Sequence, residues 1–211
     1  METPAGEDEV ILLPHRAAFW PARHTLLVAD LHLGKCAAFR VSGIPVPHGV
    51  IEESLNRLSE AIACTGAARV LVLGDLLHAP AGLTDAMLEC VAAWRAACPA
   101  AIAVVPGNHD RSLQRAAECW RIDVLPELYE EGPFAFAHQP VRRPGSFVWC
   151  GHLHPAVPID RGRMAPKLPC FHLSPGVGVL PAFTRFAAGG MLRRGPRDRL
   201  YVIADDAVMP V

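Results

Sequence analysis

Five short apolar runs in this chain each break off into aspartate, asparagine or histidine, and that recurrence restricts the fold more than any other feature. Thr25 to Ala29 runs into Asp30 and His32, Arg69 to Leu73 into Gly74 and Asp75, and Ala101 to Val105 into Pro106-Gly107-Asn108-His109-Asp110. Later, Phe134 to Ala137 runs into His138, and Phe147 to Cys150 into Gly151-His152-Leu153-His154. Continuous apolar runs this short, bounded by Gly and Pro, fit buried strands, and polar groups just past strand ends can converge at one edge of a sheet. Their alternation with amphipathic segments predicts a layered α/β domain rather than a helix bundle or an all-β sandwich.

The amphipathic segments read as scaffold. Val50, Ile51, Leu55, Leu58 and Ile62 mark one face of a helix of about 15 residues, with Gly66 as its left-handed cap. Thr84 is the expected N-cap of the next helix, with a hydrophobic staple between Leu83 and Leu88, and Ser112 the expected cap of a short helix through Cys119. From Val157 to Val211 the pattern is of short strands and turns, with Leu200 to Ile203 as the last strand. Without an internal repeat or linker, one domain over 1–211 is expected, its motif-bearing core at about 25–190.

Composition narrows the functional classes. With 51% hydrophobic and 19% charged residues in 211, disorder is excluded, and a net charge of −1 excludes a polycation binding nucleic acid by bulk attraction. The charge is unevenly spread: residues 1–139 hold 10 basic and 17 acidic residues, whereas 140–211 hold 10 basic and 4 acidic. The basic clusters are Arg142 and Arg143, Arg161 and Arg163, and Arg185, Arg193, Arg194, Arg197 and Arg199; they read either as a polyanion-binding face or as a solvated surface. Seven cysteines, odd in number and never spaced CxxC, argue against a disulfide framework or a thiolate zinc site and are expected as buried small hydrophobes. An acidic amino terminus and the lack of any apolar run of about 18 residues predict no signal peptide, no membrane span and a cytoplasmic location.

The run-end residues carry the chemistry. A single DxH or HxH is expected by chance in roughly every second chain of this composition, so only the ordered set is informative. It supplies carboxylates, an amide oxygen and several imidazoles, ligands suited to borderline and hard divalent cations, and more of them than one ion needs. Two ions about 3.5 to 4 Å apart are the arrangement that clamps a phosphate ester during in-line displacement.

The series DxH, GD, GNHD, lone His and GHxH, from Asp30 to His154, resembles the five-block signature of the calcineurin-like metallophosphoesterases. The resemblance implies an α/β fold of two mixed β-sheets sandwiched between helices in four layers, as a single domain. It implies Asp30, His32, Asp75 and His154 as ligands of one metal and Asp75, Asn108, His138 and His152 as ligands of a second, with Asp75 bridging. The metals would be manganese, with zinc or iron as alternatives. It further implies that a bridging hydroxide attacks while His109 stabilises the phosphate and protonates the leaving oxygen. ADLHLGK, FRVSGIPVPHG, GDLLHAPAGL, GNHDR, GHLHP and LPAF, spread from about Leu26 to Gly190, are more narrowly similar to the bacterial ligase-associated DNA damage response endonucleases of PdeM type. That similarity implies DNA as substrate, and a DNA ligase, helicase and exonuclease as partners. In the related repair nucleases a histidine at the place of His78 assists the catalytic imidazole, the role of His109 here, with a structural role as the alternative. Lys35 and Arg40, which follow the first metal loop, and Arg142 and Arg143 of the basic half read either as meeting substrate phosphates or as a solvated surface. Gln139 stands where this group has an acidic residue, and Phe183 is followed by Thr184 where a Gly is expected. Only 57 residues follow His154, leaving no room for a separate DNA-capping domain. The alternative reading is a phosphatase or phosphodiesterase acting on a small molecule or phosphoprotein, since the same core serves both. A ligand-binding module on an inactive fold is disfavoured by the intact ligand set.

Overall fold

The computed structural model describes residues 2–3, 9–47, 49–159, 166–187, 189–190 and 194–211. His48, Arg161, Arg163 and Arg193 lie outside these. In chain order the strands are β1 Glu2–Thr3, β2 Val10–Leu13, β3 Ala17–Trp20, β4 Thr25–Val28, β5 Arg69–Leu73, β6 Ala101–Val105, β7 Asp123–Val124, β8 Leu128–Glu131, β9 Phe134–Ala137, β10 Phe147–Cys150, β11 Ala156–Pro158, β12 Lys167–Ser174, β13 Val177–Val179, β14 Arg199–Ala204 and β15 Ala207–Pro210. The α-helices are α1 Lys35–Val41, α2 Val50–Thr65, α3 Asp85–Ala97 and α4 Leu113–Trp120.

Two mixed sheets face each other. The first runs β1 to β7 in chain order, antiparallel up to β4 and parallel from β4 to β7. The second has the order β15-β14-β12-β13-β10-β9-β8, with β11 on β12 and with β9, β10 and β13 parallel. The first three apolar runs are continuous because both of their faces are covered. Leu26, Val28, Val70, Val72, Ile102 and Val104 pack with the buried helix residues Leu55, Leu58, Met87, Leu88, Leu113 and Trp120. The alternate residues Leu27, Leu71, Leu73, Ala103 and Val105 join Phe134, Phe136, Trp149 and Phe171 of the second sheet in the layer between the sheets. In β9 the large rings point inward, while Ala135 and Ala137, with Val148, Cys150, Val177 and Val179, form a small-residue cluster on the outer face.

Among the described residues the α-helices all precede Arg121, and α2, α3 and α4 cover the first sheet. Helix α2 ends at Gly66 in the left-handed region (φ 64°), and Thr84 caps α3 by accepting from the Met87 amide at 3.3 Å. Ser112 does precede α4 but makes no capping bond, because its backbone (φ −108°, ψ 18°) lacks the extended conformation that aims a cap oxygen into the first turn. Leu200 to Ile203 lies within a strand, but not the last one: Asp205 and Asp206 turn the chain into β15. Cys36, Cys150 and Cys170 are buried as expected, whereas Cys64 and Cys119 are exposed on helical outer faces; all seven are free.

Parallel pairing brings the carboxyl ends of β4, β5 and β6 to one edge, and β9 and β10 end against them. The pairing continues past the strands: Asp30 N donates to Gly74 O (3.1 Å), His32 N to Asp75 O (2.9 Å), and Gly151 N to His138 O (3.0 Å). The Asp30 and Asp75 segments are thereby zipped together at the end of the first sheet, and the His138 and Gly151 segments at the end of the second.

Candidate metal centre

The rim is strained where the chemistry sits. Nine described non-glycine residues have positive φ, and five of them are Asp30 (56°), His32 (47°), Asp75 (50°), His152 (70°) and His154 (47°). Left-handed backbone costs an L-residue roughly 1 to 2 kcal/mol and persists where its surroundings impose it. Here it turns each side chain away from its strand and into the space between the sheets' ends.

The glycines beside these residues make room for them. A Cβ at Gly74 would lie 2.2 Å from His138 Nδ1, at Gly107 2.3 Å from Asp75 Oδ1, and at Gly151 2.6 Å from Asp30 Oδ2. Each glycine of the GD, GNHD and GHxH blocks is therefore the floor under a functional side chain of another block. Asp110 joins two blocks as well: its carboxylate accepts from Leu77 N and Gly107 N, both at 2.8 Å.

Each central carboxylate has one oxygen anchored and one turned inward. Asp30 is fully buried; its Oδ2 accepts from His152 N at 2.9 Å, while Oδ1 has no hydrogen-bond partner and lies 3.5 Å from His154 Nε2. Asp75 Oδ1 accepts from His109 N at 2.9 Å. Its Oδ2 lies 3.4 Å from His138 Nε2, 3.9 Å from His32 Nε2 and 4.0 Å from His109 Nε2, between the two halves of the cluster.

The imidazoles are oriented as ligands. His138 Nδ1 faces the Leu73 carbonyl at 3.2 Å; a carbonyl can only accept, so Nδ1 carries the proton and Nε2 presents a lone pair. That lone pair faces Asn108 Oδ1 (2.9 Å) and Asp75 Oδ2, oxygens with no proton to offer. His152 Nδ1 is 3.0 Å from the same Nε2, and His32 Nε2 faces His154 Nε2 at 3.3 Å. Burial, then the neighbouring His154, Lys35, His78 and His109, push His32 down to about 2, which keeps it a neutral donor of a lone pair. Burial likewise lowers His152 and His78. Carboxylate oxygens, an amide oxygen and imidazole nitrogens that converge in this way form a donor set that fits divalent metal. Three groupings of described residues have ligand atoms all within 4.8 Å of one another: Asp30, His32 and His154, and Asp75, His138 and His152, which divide the cluster in two, and His32, His78 and His109 at its mouth.

His109 stands at the mouth, its side chain 41% exposed. Its Nδ1 donates to the His78 carbonyl at 2.7 Å, and the two rings stack with centroids 5.2 Å apart. Nε2 is left facing the cluster. Lys35 lies close enough to help depress His32 and His78, and its ammonium sits 5.8 Å from the Phe39 ring and 5.7 Å from that of Phe186. Arg40 donates to the Pro47 carbonyl at 2.7 Å, farther along α1. Arg142 is exposed, and Arg143 is held by Glu130 at 2.8 Å, so its charge is largely compensated.

Two cavities open at the ends of the cluster. One of about 430 Å³ adjoins Asn108 and His138 and is lined by Glu127, Leu128, Gln139 and Val141. The other, about 280 Å³, adjoins His154 and is lined by Arg16, Lys167 and Arg185. Sequence reasoning singled out neither Arg16 nor Glu127; both reach the site only through long-range pairing that no local pattern announces.

No protein-family model and no curated protein sequence matches the chain. Among solved structures it is similar to the Pseudomonas putida nuclease MPE, with a TM-score of 0.86 and 32% identity over 100% of this chain and 99% of that one. The chain belongs to the calcineurin-like metallophosphoesterases. This metallophosphoesterase is also similar to YfcE, a phosphoesterase from E. coli, at a TM-score of 0.49 and 15% identity over 89% of this chain and 97% of that one; the assignment rests on the first likeness. As a member of the family it is a hydrolase of phosphoester bonds. Among the described residues no helix is long and apolar enough to cross a membrane.

Proposed function

We propose that this metallophosphoesterase is a two-metal phosphodiesterase that cuts DNA, with manganese as its native metal. The observation that carries the reading is Asp75 Oδ2, which lies between the two halves of the cluster, 3.4 Å from His138 Nε2 and 3.9 Å from His32 Nε2. Asp30, His32 and His154 would hold one divalent cation, Asn108, His138 and His152 the other, and Asp75 both. Bound there, the cations would polarise the phosphoryl oxygens and clamp an in-line displacement.

The chain's own residues supply the rest. With Nδ1–H committed to the His78 carbonyl, His109 can carry a second proton only on Nε2, the nitrogen that faces the cluster. From there it can hydrogen-bond a phosphoryl oxygen or protonate a departing alkoxide. His78, stacked on that ring, limits its rotation. DNA is favoured as substrate by the likeness to a nuclease and by Lys35 beside His78; Arg40 and Arg142 are further candidates for phosphate contact, whereas Arg143 is held by Glu130. Contacts of this kind are made to phosphates, so little sequence preference and a steep salt dependence are expected. The association with a ligase, helicase and exonuclease is proposed on the subfamily resemblance alone.

The test is to assay metal-reconstituted protein on single-stranded, duplex and nicked DNA beside bis-p-nitrophenyl phosphate and p-nitrophenyl phosphate. Cutting of at least one DNA form, abolished by chelation, is the expected result. Hydrolysis of the small esters with no DNA cut would replace the reading by a small-molecule phosphodiesterase.

A further inference from the structure

The cavity beside His154 is more basic than the fold requires. Its described lining includes Arg16, Lys167 and Arg185 and no acidic residue. Arg16 is another of the described residues with left-handed backbone, at φ 60° in the turn between β2 and β3. Its Nη1 donates to the carbonyls of Thr184 (2.8 Å) and Ala182 (3.3 Å), which fixes the guanidinium against the segment after β13. No carboxylate among the described residues pairs with it. Behind it Arg57 is buried, bonded to the Phe183 carbonyl and to Glu53, with its Nε unpartnered. Arg185 is 65% exposed and reaches the same Glu53 at 3.0 Å, so one carboxylate serves two arginines and partly screens a third. Among the described residues Lys167 donates to the Gly189 carbonyl, at 3.0 Å. Burial first, and then Arg57 and Arg185 nearby, depress Arg16 to about 10, with Glu53 opposing them.

Three cations around one cavity, with the single nearby carboxylate Glu53 shared between Arg185 and Arg57, leave a net positive site, and guanidinium suits phosphate oxygens in particular. We propose that Arg16, Lys167 and Arg185 form a subsite for a second phosphate group of the substrate strand, next to the phosphate at the metals. His154 belongs to both the cluster and the cavity wall, so the two sites share a border. A phosphate there would take hydrogen bonds from the free nitrogens of Arg16 and from Arg185 and Lys167, and would fix the register of the strand. The inference rests on the phosphodiesterase reading of the metal centre. The second phosphate has two possible sources, an internal phosphodiester or a terminal monoester, which the same chemistry would bind.

The test compares kcat/KM on bis-p-nitrophenyl phosphate and on short thymidine probes: TpT with a single phosphate, pTpT and TpTp with a terminal one, and TpTpT with two diesters. In the wild type, at least one two-phosphate probe is expected to exceed TpT by about tenfold, chiefly through KM. Gain confined to pTpT or TpTp identifies a terminal phosphate, and gain in TpTpT an internal one. Arg185→Ala and Lys167→Ala should bring the ratio towards one. Glu53→Gln, which releases Arg185, should raise it, a change of sign that loss of structure would not produce. Arg197→Ala, an exposed arginine of the same basic half, should leave the ratio alone. Thermal melts of each variant check folding. Cleavage of TpT with no two-phosphate advantage in the wild type, or an advantage that survives in both alanine variants, overturns the subsite and leaves the nuclease reading standing. Turnover of the small ester with no cleavage of any thymidine probe overturns both.

Discussion

Gly107→Ala should disable the metal centre from a position that holds no ligand. The backbone of Gly107 lies outside the left-handed region, so alanine is not excluded by its conformation. The obstacle is Asp75: a Cβ would sit 2.3 Å from Oδ1, 2.4 Å from the backbone nitrogen and 3.0 Å from Cγ. Ordinary contacts lie near 3.5 to 4.0 Å, so the overlap exceeds about 1 Å, and rotating the carboxylate cannot relieve it because the backbone is struck as well. The loop bearing Asn108 and His109 must shift by a comparable distance. Overpacking of this kind costs about 1 to 3 kcal/mol, or roughly 2 to 12 °C in Tm for a chain of this size. A displacement of about 1 Å at reacting groups costs on the order of 10²-fold in rate. Turnover of bis-p-nitrophenyl phosphate, metal content by elemental analysis and a thermal melt read the three effects separately. Gly176→Ala is the control, with φ at +81° and nothing within 4 Å: it should lose about 1 kcal/mol of stability and keep its turnover. Wild-type turnover and a full metal complement in Gly107→Ala would refute the cradle.

Asp75→Asn should abolish hydrolysis and lower metal content, because an amide bridges two cations poorly; near wild-type turnover with metal retained would remove Asp75 from the bridging position. His109→Ala should keep its metal yet lose about 10² to 10⁴ in turnover on poor leaving groups and less on nitrophenyl esters, and equal losses on both would argue against proton donation. Asp198 is held below the usual carboxylate range, first by the Gly195 amide and then by His172 at 2.8 Å, with Arg194 nearby. A depressed folded pKa adds stability that is present above the unfolded value near 3.9 and lost as pH falls through the folded one. The Tm difference between wild type and Asp198→Asn should therefore be constant above about pH 5 and shrink below about pH 4, and a difference independent of pH would contradict this.

What the sequence disclosed and what it hid follow from the range of the interactions. Strands β4, β5, β6, β9 and β10 were legible because burial on both faces leaves an unbroken apolar run, and the end of α2 because Gly66 alone suits the left-handed cap. The hairpin of β2 and β3 was not: Ala17 to Trp20 is buried throughout but ends in no Asp, Asn or His to set it apart as the other runs do. The run-end side chains do gather at one rim, as their placement after parallel strands requires. The strain that turns them inward, the glycine floors beneath Asp30, Asp75 and His138, and the arrival of Arg16 against Thr184 depend on partners 30 to 170 residues away. No local spacing encodes those.

The most direct measurement is anomalous diffraction from crystals grown with manganese. Two peaks about 3.5 to 4 Å apart are expected, one within bonding distance of Asp30, His32 and His154, the other of Asn108, His138 and His152, with Asp75 Oδ2 reaching both. A single peak, or metal among His32, His78 and His109 in place of the Asp75 pair, would contradict the two-metal centre.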